Sequence, residues 1–352
     1  MSTTMQMDAG RGVDFEVARL DAYLQDTEGA GSVPLEVRRT EGGMSNPTYF
    51  LRRGDWEAVL RKQPAGEVLP SAHAIDREWR ILAALQDTDV PVPRPIHYCH
   101  DRAALGTPFY LMERLNGRVF HEFATPGLVR EERAALFDSM VRTMAAIHRL
   151  EIAALGLSDY GRAGNYFARQ LKRWSEQWGK FRQGPDDNPA LDEVVAWLAA
   201  RVPESELQTL CHGDFRIGNM MFHPTEPRVI GVLDWELSTL GHPLVDVAFN
   251  SQAWRMAPDE NGGLLGLDLA ALGIPEESDY LERYYRLAGS RERMTTFHQV
   301  FAMFRGAVGS AGVAVRGEQG NGFLPDAARI GRKLARAYAG RGLALIKEKE
   351  GA

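Results

Sequence analysis

Two stretches near the middle of the chain, Cys211 to Phe222 (CHGDFRIGNMMF) and Gly231 to Glu236 (GVLDWE), restrict its fold more than any other feature. They set Asp214 and Asp234 twenty residues apart, with Asn219 five residues after the first acid. The apolar run MMF follows Asn219 and the run VIGVL leads into Asp234, so the two strands of a hairpin are expected between these side chains. A carboxylate to orient a hydroxyl, with an amide oxygen and a second carboxylate as hard ligands for a cation, is the donor set of metal-assisted phosphoryl transfer.

With 352 residues and 44% hydrophobic side chains the chain can bury one large core or two moderate ones, and two lobes is the expectation. The net charge of -6 is spread without long runs of one sign, which argues against nucleic acid or a membrane surface as the main partner. Cys99 and Cys211 are the only cysteines and fit no CxxC pattern, so a reducing compartment is expected, and a zinc site is discounted because no second Cys/His pair stands at ligand spacing. The stretch MSTTMQMDAGRG lacks a signal peptide's apolar core, and no segment approaches the roughly 18 apolar residues of a membrane span; a cytoplasmic location is expected.

Residues 1 to 12 read as a disordered lead, followed by a short helix from Asp14. Strand patterns at Leu35 to Arg39, Thr48 to Arg52 and Trp56 to Arg61, broken by Gly42-Gly43 and Gly54-Asp55, predict a three-stranded antiparallel meander. A helix with Ile75, Trp79, Leu82 and Leu85 on one side follows, with Ser71 as its cap candidate, and VPVPRPIHYC and TPFYLMERL supply two more strands. From about Gly127 the pattern is helical, with a stripe of Leu136, Met140, Met144, Ile147 and Leu150, interrupted by the motif hairpin and resumed after Asp246.

The protein-kinase order H-R-D-x-x-x-x-N and then D-F-G has nearly this spacing, but here the second position is Gly213 and the later triplet is Asp234-Trp235-Glu236. His-Gly-Asp with a downstream Asp-Trp-Glu resembles the aminoglycoside phosphotransferase/choline kinase family. The segments HGDFRIGNMMFHP, VLDWELSTLGHPLVDVAF and LRKQPAGEVLPSAHAIDREWRIL are similar to the phosphotransferase-like domains of acyl-CoA dehydrogenase family members 10 and 11. The resemblance runs from about Leu35 to the C-terminal helices. It implies an α+β, protein-kinase-like two-lobed fold: a nucleotide-binding lobe of antiparallel sheet plus helix over 1–115, and a mainly helical catalytic and acceptor-binding lobe over 116–352. ATP and Mg²⁺ are the implied cofactors, and a small-molecule hydroxyl is the implied phosphate acceptor.

Roles follow position by position. Asp214 is the expected base and Arg216 the cation beside the transferring phosphoryl group, with Asn219 and Asp234 as magnesium ligands. Arg61 of AVLRK falls where the family carries a phosphate-pairing lysine, and Glu78 is its expected partner; Lys62 competes, but strand alternation points it to the other face. Gly43, Ser45 and Asn46 occupy the phosphate-covering loop, and backbone groups of Glu113 and Leu115 the adenine-binding hinge. Asp246 resembles a residue that braces the catalytic loop, and His212 is expected to be a buried brace rather than a base.

For the acceptor, Arg173, Trp174, Arg305 and Arg316 are candidate lining residues. Resemblance to the acyl-CoA dehydrogenase-associated branch implies a hydroxy acid or a hydroxyacyl-CoA. The alternatives are a nucleotide-binding pseudokinase acting as an interaction module, which the retained base and metal ligands disfavour, and a true aminoglycoside kinase. Beyond the motifs, the latter would draw its acidic wall mainly from Asp259, Glu260, Glu276, Glu277 and Asp279, which is thin for a polycation.

Overall fold

The computed structural model describes residues 12–40, 46–64, 74–162, 164–184, 187–205, 207–320 and 326–351. Gly42, Gly43, Ser45 and Ser71, and the lead up to residue 11, lie outside the described residues. Two compact units divide the chain: one runs up to Asn116 and takes in Gly231–Glu236, and the other is Gly117–Ile230 with the chain from Leu237 onwards.

In the first unit, helix α1 (Val17–Leu24) precedes strands β1 (Glu36–Arg39), β2 (Thr48–Arg53) and β3 (Trp56–Lys62). Helix α2 (Ile75–Leu85), strand β4 (Pro95–Cys99), the short helix α3 (Arg102–Leu105) and strand β5 (Phe109–Glu113) complete it. The expected meander is present, and the five-stranded sheet has the order β1-β2-β3-β5-β4 with every pairing antiparallel. Alternation sets its core: Tyr49 and Leu51 of β2 face inward with Leu60, Phe109 and Leu111, while Leu20 and Leu24 of α1 cover the same apolar layer. The helix α3 has no periodic signal because it is four residues long; it is held by Asp101, whose side chain accepts from the Ala103 N–H, and by Gly106 in a left-handed C-cap.

The second unit contains helices α4 (Arg130–His148), α5 (Tyr166–Phe181) and α6 (Pro189–Ala199), followed by strands β6 (Thr209–Cys211), β7 (Met220–Phe222), the first half of β8 (Val229–Val232) and β9 (Thr239–Gly241). Helices α7 (Leu244–Ser251), α8 (Leu269–Leu272), α9 (Glu277–Ala288), α10 (Thr296–Glu318) and α11 (Ala327–Glu350) follow. The expected stripe on α4 is buried at Leu136, Met140, Met144 and Ile147, whereas Leu150 lies beyond the helix end. β7 and β8 form the expected hairpin, closed by the His223 N–H on the Arg228 carbonyl at 2.9 Å. A second pair, β6 with β9, joins Leu210 to Leu240 and brackets the motif loop.

The core of this unit is aromatic. Phe167 on α5 meets Phe297 and Phe301 of α10 edge to face, with ring centroids 5.3 Å apart in each case. α10 and α11 approach closely because Gly331 has no side chain: a Cβ there would lie 2.6 Å from the Ala314 nitrogen and 2.6 Å from the Ser310 carbonyl. No helix among the described residues is long and apolar enough to cross a membrane.

Candidate active site

In the first unit the side chains around β3 separate as the alternation requires. Lys62 turns to the face carrying α1, where its Nζ lies 2.8 Å from Asp14 Oδ2 and over the Phe15 ring. Arg61 turns the other way. Its Nε pairs with Glu78 Oε2 at 3.0 Å, its Nη2 with Asp234 Oδ1 at 2.7 Å, and Glu236 Oε2 lies 3.8 Å from the same nitrogen. One guanidinium thus bridges helix α2 and the segment after β8.

Glu78 is fully buried although it opens a helix whose other inward residues are aliphatic. Tyr110 donates its hydroxyl to Oε2 and Asn46 its amide to Oε1, both at 2.8 Å. Burial pushes the Glu78 carboxyl above its ordinary range, and the charge of Asp234 pushes the same way, while Arg61 and the two hydrogen bonds pull it back. Asn46, expected on the phosphate-covering loop, sends its side chain inward to this carboxylate; Gly43 and Ser45 of the same loop are outside the described residues.

Asp234 has φ of 66°, a left-handed conformation that a non-glycine residue adopts at a cost. Its segment is tied to the unit by the Val232 N–H on the Pro91 carbonyl at 2.8 Å and by the buried Trp235, whose Nε1 donates to the Val232 carbonyl at 3.0 Å. Leu115 packs on this segment, since a Cβ at Gly231 would lie 2.3 Å from its Cδ1. Glu113 donates its backbone N–H to the Arg94 carbonyl at 2.8 Å, so that N–H is not one a nucleobase can use.

In the second unit the motif loop is pinned from below by Asp246 of α7. Its Oδ2 accepts from the His212 N–H at 2.6 Å and its Oδ1 from the Gly213 N–H at 2.8 Å, with His148 Nε2 at 3.3 Å. Burial alone would lift this carboxyl, but the hydrogen bond and charge of His148, together with His212 and the Gly213 amide, hold it below the usual aspartate value. His148 is itself fixed by the Tyr284 hydroxyl at 2.7 Å. His212 is buried and its Nδ1 accepts from the Asp214 N–H at 3.2 Å, a bracing position. Asn250 adds a further tie, donating to the Phe215 carbonyl at 3.2 Å.

Gly213 explains the departure from the kinase arginine at this position. Its φ is +84°, and a Cβ would stand 2.4 Å from the Leu237 carbonyl oxygen. The Gly213 carbonyl accepts from Arg305 Nη2 at 2.5 Å. Arg305 is therefore not on an open wall: it is 6% exposed, with its guanidinium over the rings of Trp174 and Phe249. Arg173 and Arg316 are exposed on their helices.

Asp214 follows, partly exposed, with both neighbours on one oxygen. Asn219 Nδ2 donates to Oδ2 at 2.7 Å and to the Asp214 carbonyl at 2.9 Å, and Arg216 Nε donates to Oδ2 at 3.3 Å. The Asn219 amide oxygen is thereby directed away from Asp214, the orientation a cation ligand requires.

A family model described as the phosphotransferase enzyme family matches residues 36–285. The chain belongs to this family. Its relatives include acyl-CoA dehydrogenase family member 11 of Rattus norvegicus, 39% identical over 92% of this chain; the chain spans 43% of that protein's length. A crystal structure from Ralstonia eutropha, provisionally named an aminoglycoside phosphotransferase, is 40% identical with a TM-score of 0.84 and covers 95% of this chain and 99% of its own. A thermostable mutant of an aminoglycoside phosphotransferase, solved in ternary complex with ADP and hygromycin B, shares the fold at 17% identity with a TM-score of 0.60, over 92% of this chain and 98% of its own. The phosphotransferase family fold is protein-kinase-like, and the antiparallel sheet with its helix and the mainly helical second unit match it.

His121, Gln252, Asn261 and Tyr338 are polar residues near Arg216 that motif reasoning missed. They come from separate segments of the chain, and no spacing in the sequence connects them.

Proposed function

We propose that this chain is an ATP- and Mg²⁺-dependent kinase that transfers a phosphoryl group to a hydroxyl of a small molecule. The observation that carries this is the setting of Asp214: Oδ2 is held by Asn219 and Arg216, the loop is tied through Asp246, and Oδ1 has no hydrogen bond among the described residues. That oxygen is available to orient an acceptor hydroxyl and take its proton late in transfer. Arg216, held against the same carboxylate, supplies positive charge beside the reacting groups.

The donor set also supports a divalent cation. Asp234 already takes a cationic group at 2.7 Å, and Asn219 directs its amide oxygen outward, so these two are the proposed ligands. When bound, Mg²⁺ would neutralise charge on the nucleotide phosphates. Arg61, kept in place by Glu78, is the proposed phosphate-pairing cation, with Gly43, Ser45 and Asn46 as the phosphate-covering loop and Glu113 and Leu115 at the adenine. Relatives in which a phosphotransferase domain accompanies an acyl-CoA dehydrogenase support a hydroxy acid or hydroxyacyl-CoA as acceptor.

The test is ADP formation from ATP and Mg²⁺ against a panel of hydroxy acids, hydroxyacyl-CoAs, sugars and aminoglycosides. Acceptor-stimulated turnover that falls by about 10²–10⁴ in Asp214→Ala is expected. Nucleotide binding with no turnover across the panel would contradict the proposal.

A further inference from the structure

Beside Arg216 the second unit holds a partly open cavity of about 20 Å³, room for one water-sized group. Arg216, His121, Gln252, Met256, Asn261 and Tyr338 form most of its wall, and no carboxylate among the described residues lines it. Gln252 is 5% exposed, and its Oε1 is buried without a hydrogen-bond partner among the described residues. An interior amide oxygen left unpaired is costly, so a donor is expected to enter the cavity.

Other lining residues offer the complement. Tyr338 accepts from Asn261 Nδ2 at 2.8 Å and, with burial pushing its pKa up to about 12, keeps its own proton to donate. Arg216, whose guanidinium meets Asp214 Oδ2 at 3.3 Å, also lines the cavity. The wall is preformed, because the Phe123 N–H bonds the Gly262 carbonyl at 3.0 Å and a Cβ at Gly263 would lie 1.9 Å from the Met256 carbonyl.

A hydroxyl can donate to Gln252 and accept from Tyr338 or Arg216, taking the place a single water would otherwise fill. A polyammonium compound would meet Arg216 at the cavity, where none of the described lining residues is an acid. We propose that this cavity is the acceptor's second contact point, and that the acceptor is a neutral or anionic molecule carrying a further hydroxyl next to the one phosphorylated. This rests on the phosphotransferase function proposed above.

The experiment is saturation-transfer NMR with glycerate, lactate and kanamycin on wild type, Gln252→Leu and Tyr338→Phe, with ADP titrated into wild type by calorimetry. Lactate lacks the distal hydroxyl of glycerate, so the expected result is glycerate binding about tenfold tighter than lactate in wild type, an advantage lost in both variants. Equal binding of glycerate and lactate, an advantage that survives both substitutions, tighter binding of kanamycin, or no glycerate binding while ADP binds would each overturn the proposal. Absence of ADP binding to wild type would instead overturn the phosphotransferase function itself.

Discussion

Arg61 on β3 and Asp234, 173 residues later, are joined by a 2.7 Å hydrogen bond between Nη2 and Oδ1. The same guanidinium pairs through Nε with the buried Glu78. A lysine at this position would have one nitrogen to divide between two carboxylates on different elements, whereas the planar fork of an arginine meets both at once. The arginine therefore fixes the direction of Asp234 as well as the charge balance of a buried acid.

Arg61→Met should leave Glu78 without its counter-charge and lower stability by about 3–5 kcal/mol. Arg61→Lys should retain most of the stability but weaken ADP binding roughly tenfold, because bidentate contact is lost. Urea denaturation and calorimetry check the two halves. A stable Arg61→Met protein would show that the pair has no structural weight.

Gly213→Ala should destabilise the chain by about 2 kcal/mol or more, since the left-handed backbone and the Leu237 carbonyl both oppose a Cβ. Gly289, with φ of +63° and no atom within 4 Å of an added Cβ, separates these effects. Gly289→Ala should cost about 1 kcal/mol. Equal losses in the two variants, read from urea midpoints, would mean that the carbonyl contact contributes nothing.

His298 supplies a pH dependence. Burial pushes its pKa down to about 3, and its Nδ1 accepts from the Thr295 N–H at 3.1 Å at the start of α10. A histidine held neutral in the fold and free to protonate when unfolded stabilises the fold above its ordinary value. That contribution is lost progressively as pH falls from about 6.5 towards 3. Between pH 7 and pH 5 the loss should be about 2 kcal/mol. His298→Gln, which preserves an acceptor for the cap, should flatten that slope; urea denaturation at the two pH values measures it.

Much of this was legible because it was periodic or contiguous. Alternation along WEAVLRK was enough to send Arg61 and Lys62 to opposite faces, and the contacts with Glu78 and Asp14 follow that division. The loop from His212 to Asn219 was visible as one motif, and Asp246 was expected beneath it. The bond from Arg61 to Asp234 was not legible, since it depends on the left-handed turn at Asp234, and neither residue alone signals the other. Arg305 was a candidate lining residue because it stands on a helix after Asp246; its partners are a backbone carbonyl and two rings, which leave no mark on charge patterning. Gln252 and Tyr338 escaped for a related reason: their meaning comes from a cavity between distant segments.

The most direct test of phosphoryl transfer through Asp214 is ³¹P NMR of ATP, Mg²⁺ and the acceptor panel with wild type and Asp214→Asn, a substitution that keeps the shape and removes the base. The expected result is a new phosphomonoester signal with wild type and a rate lower by about 10²–10⁴ with Asp214→Asn. The same phosphomonoester formed at the same rate by both proteins would contradict it.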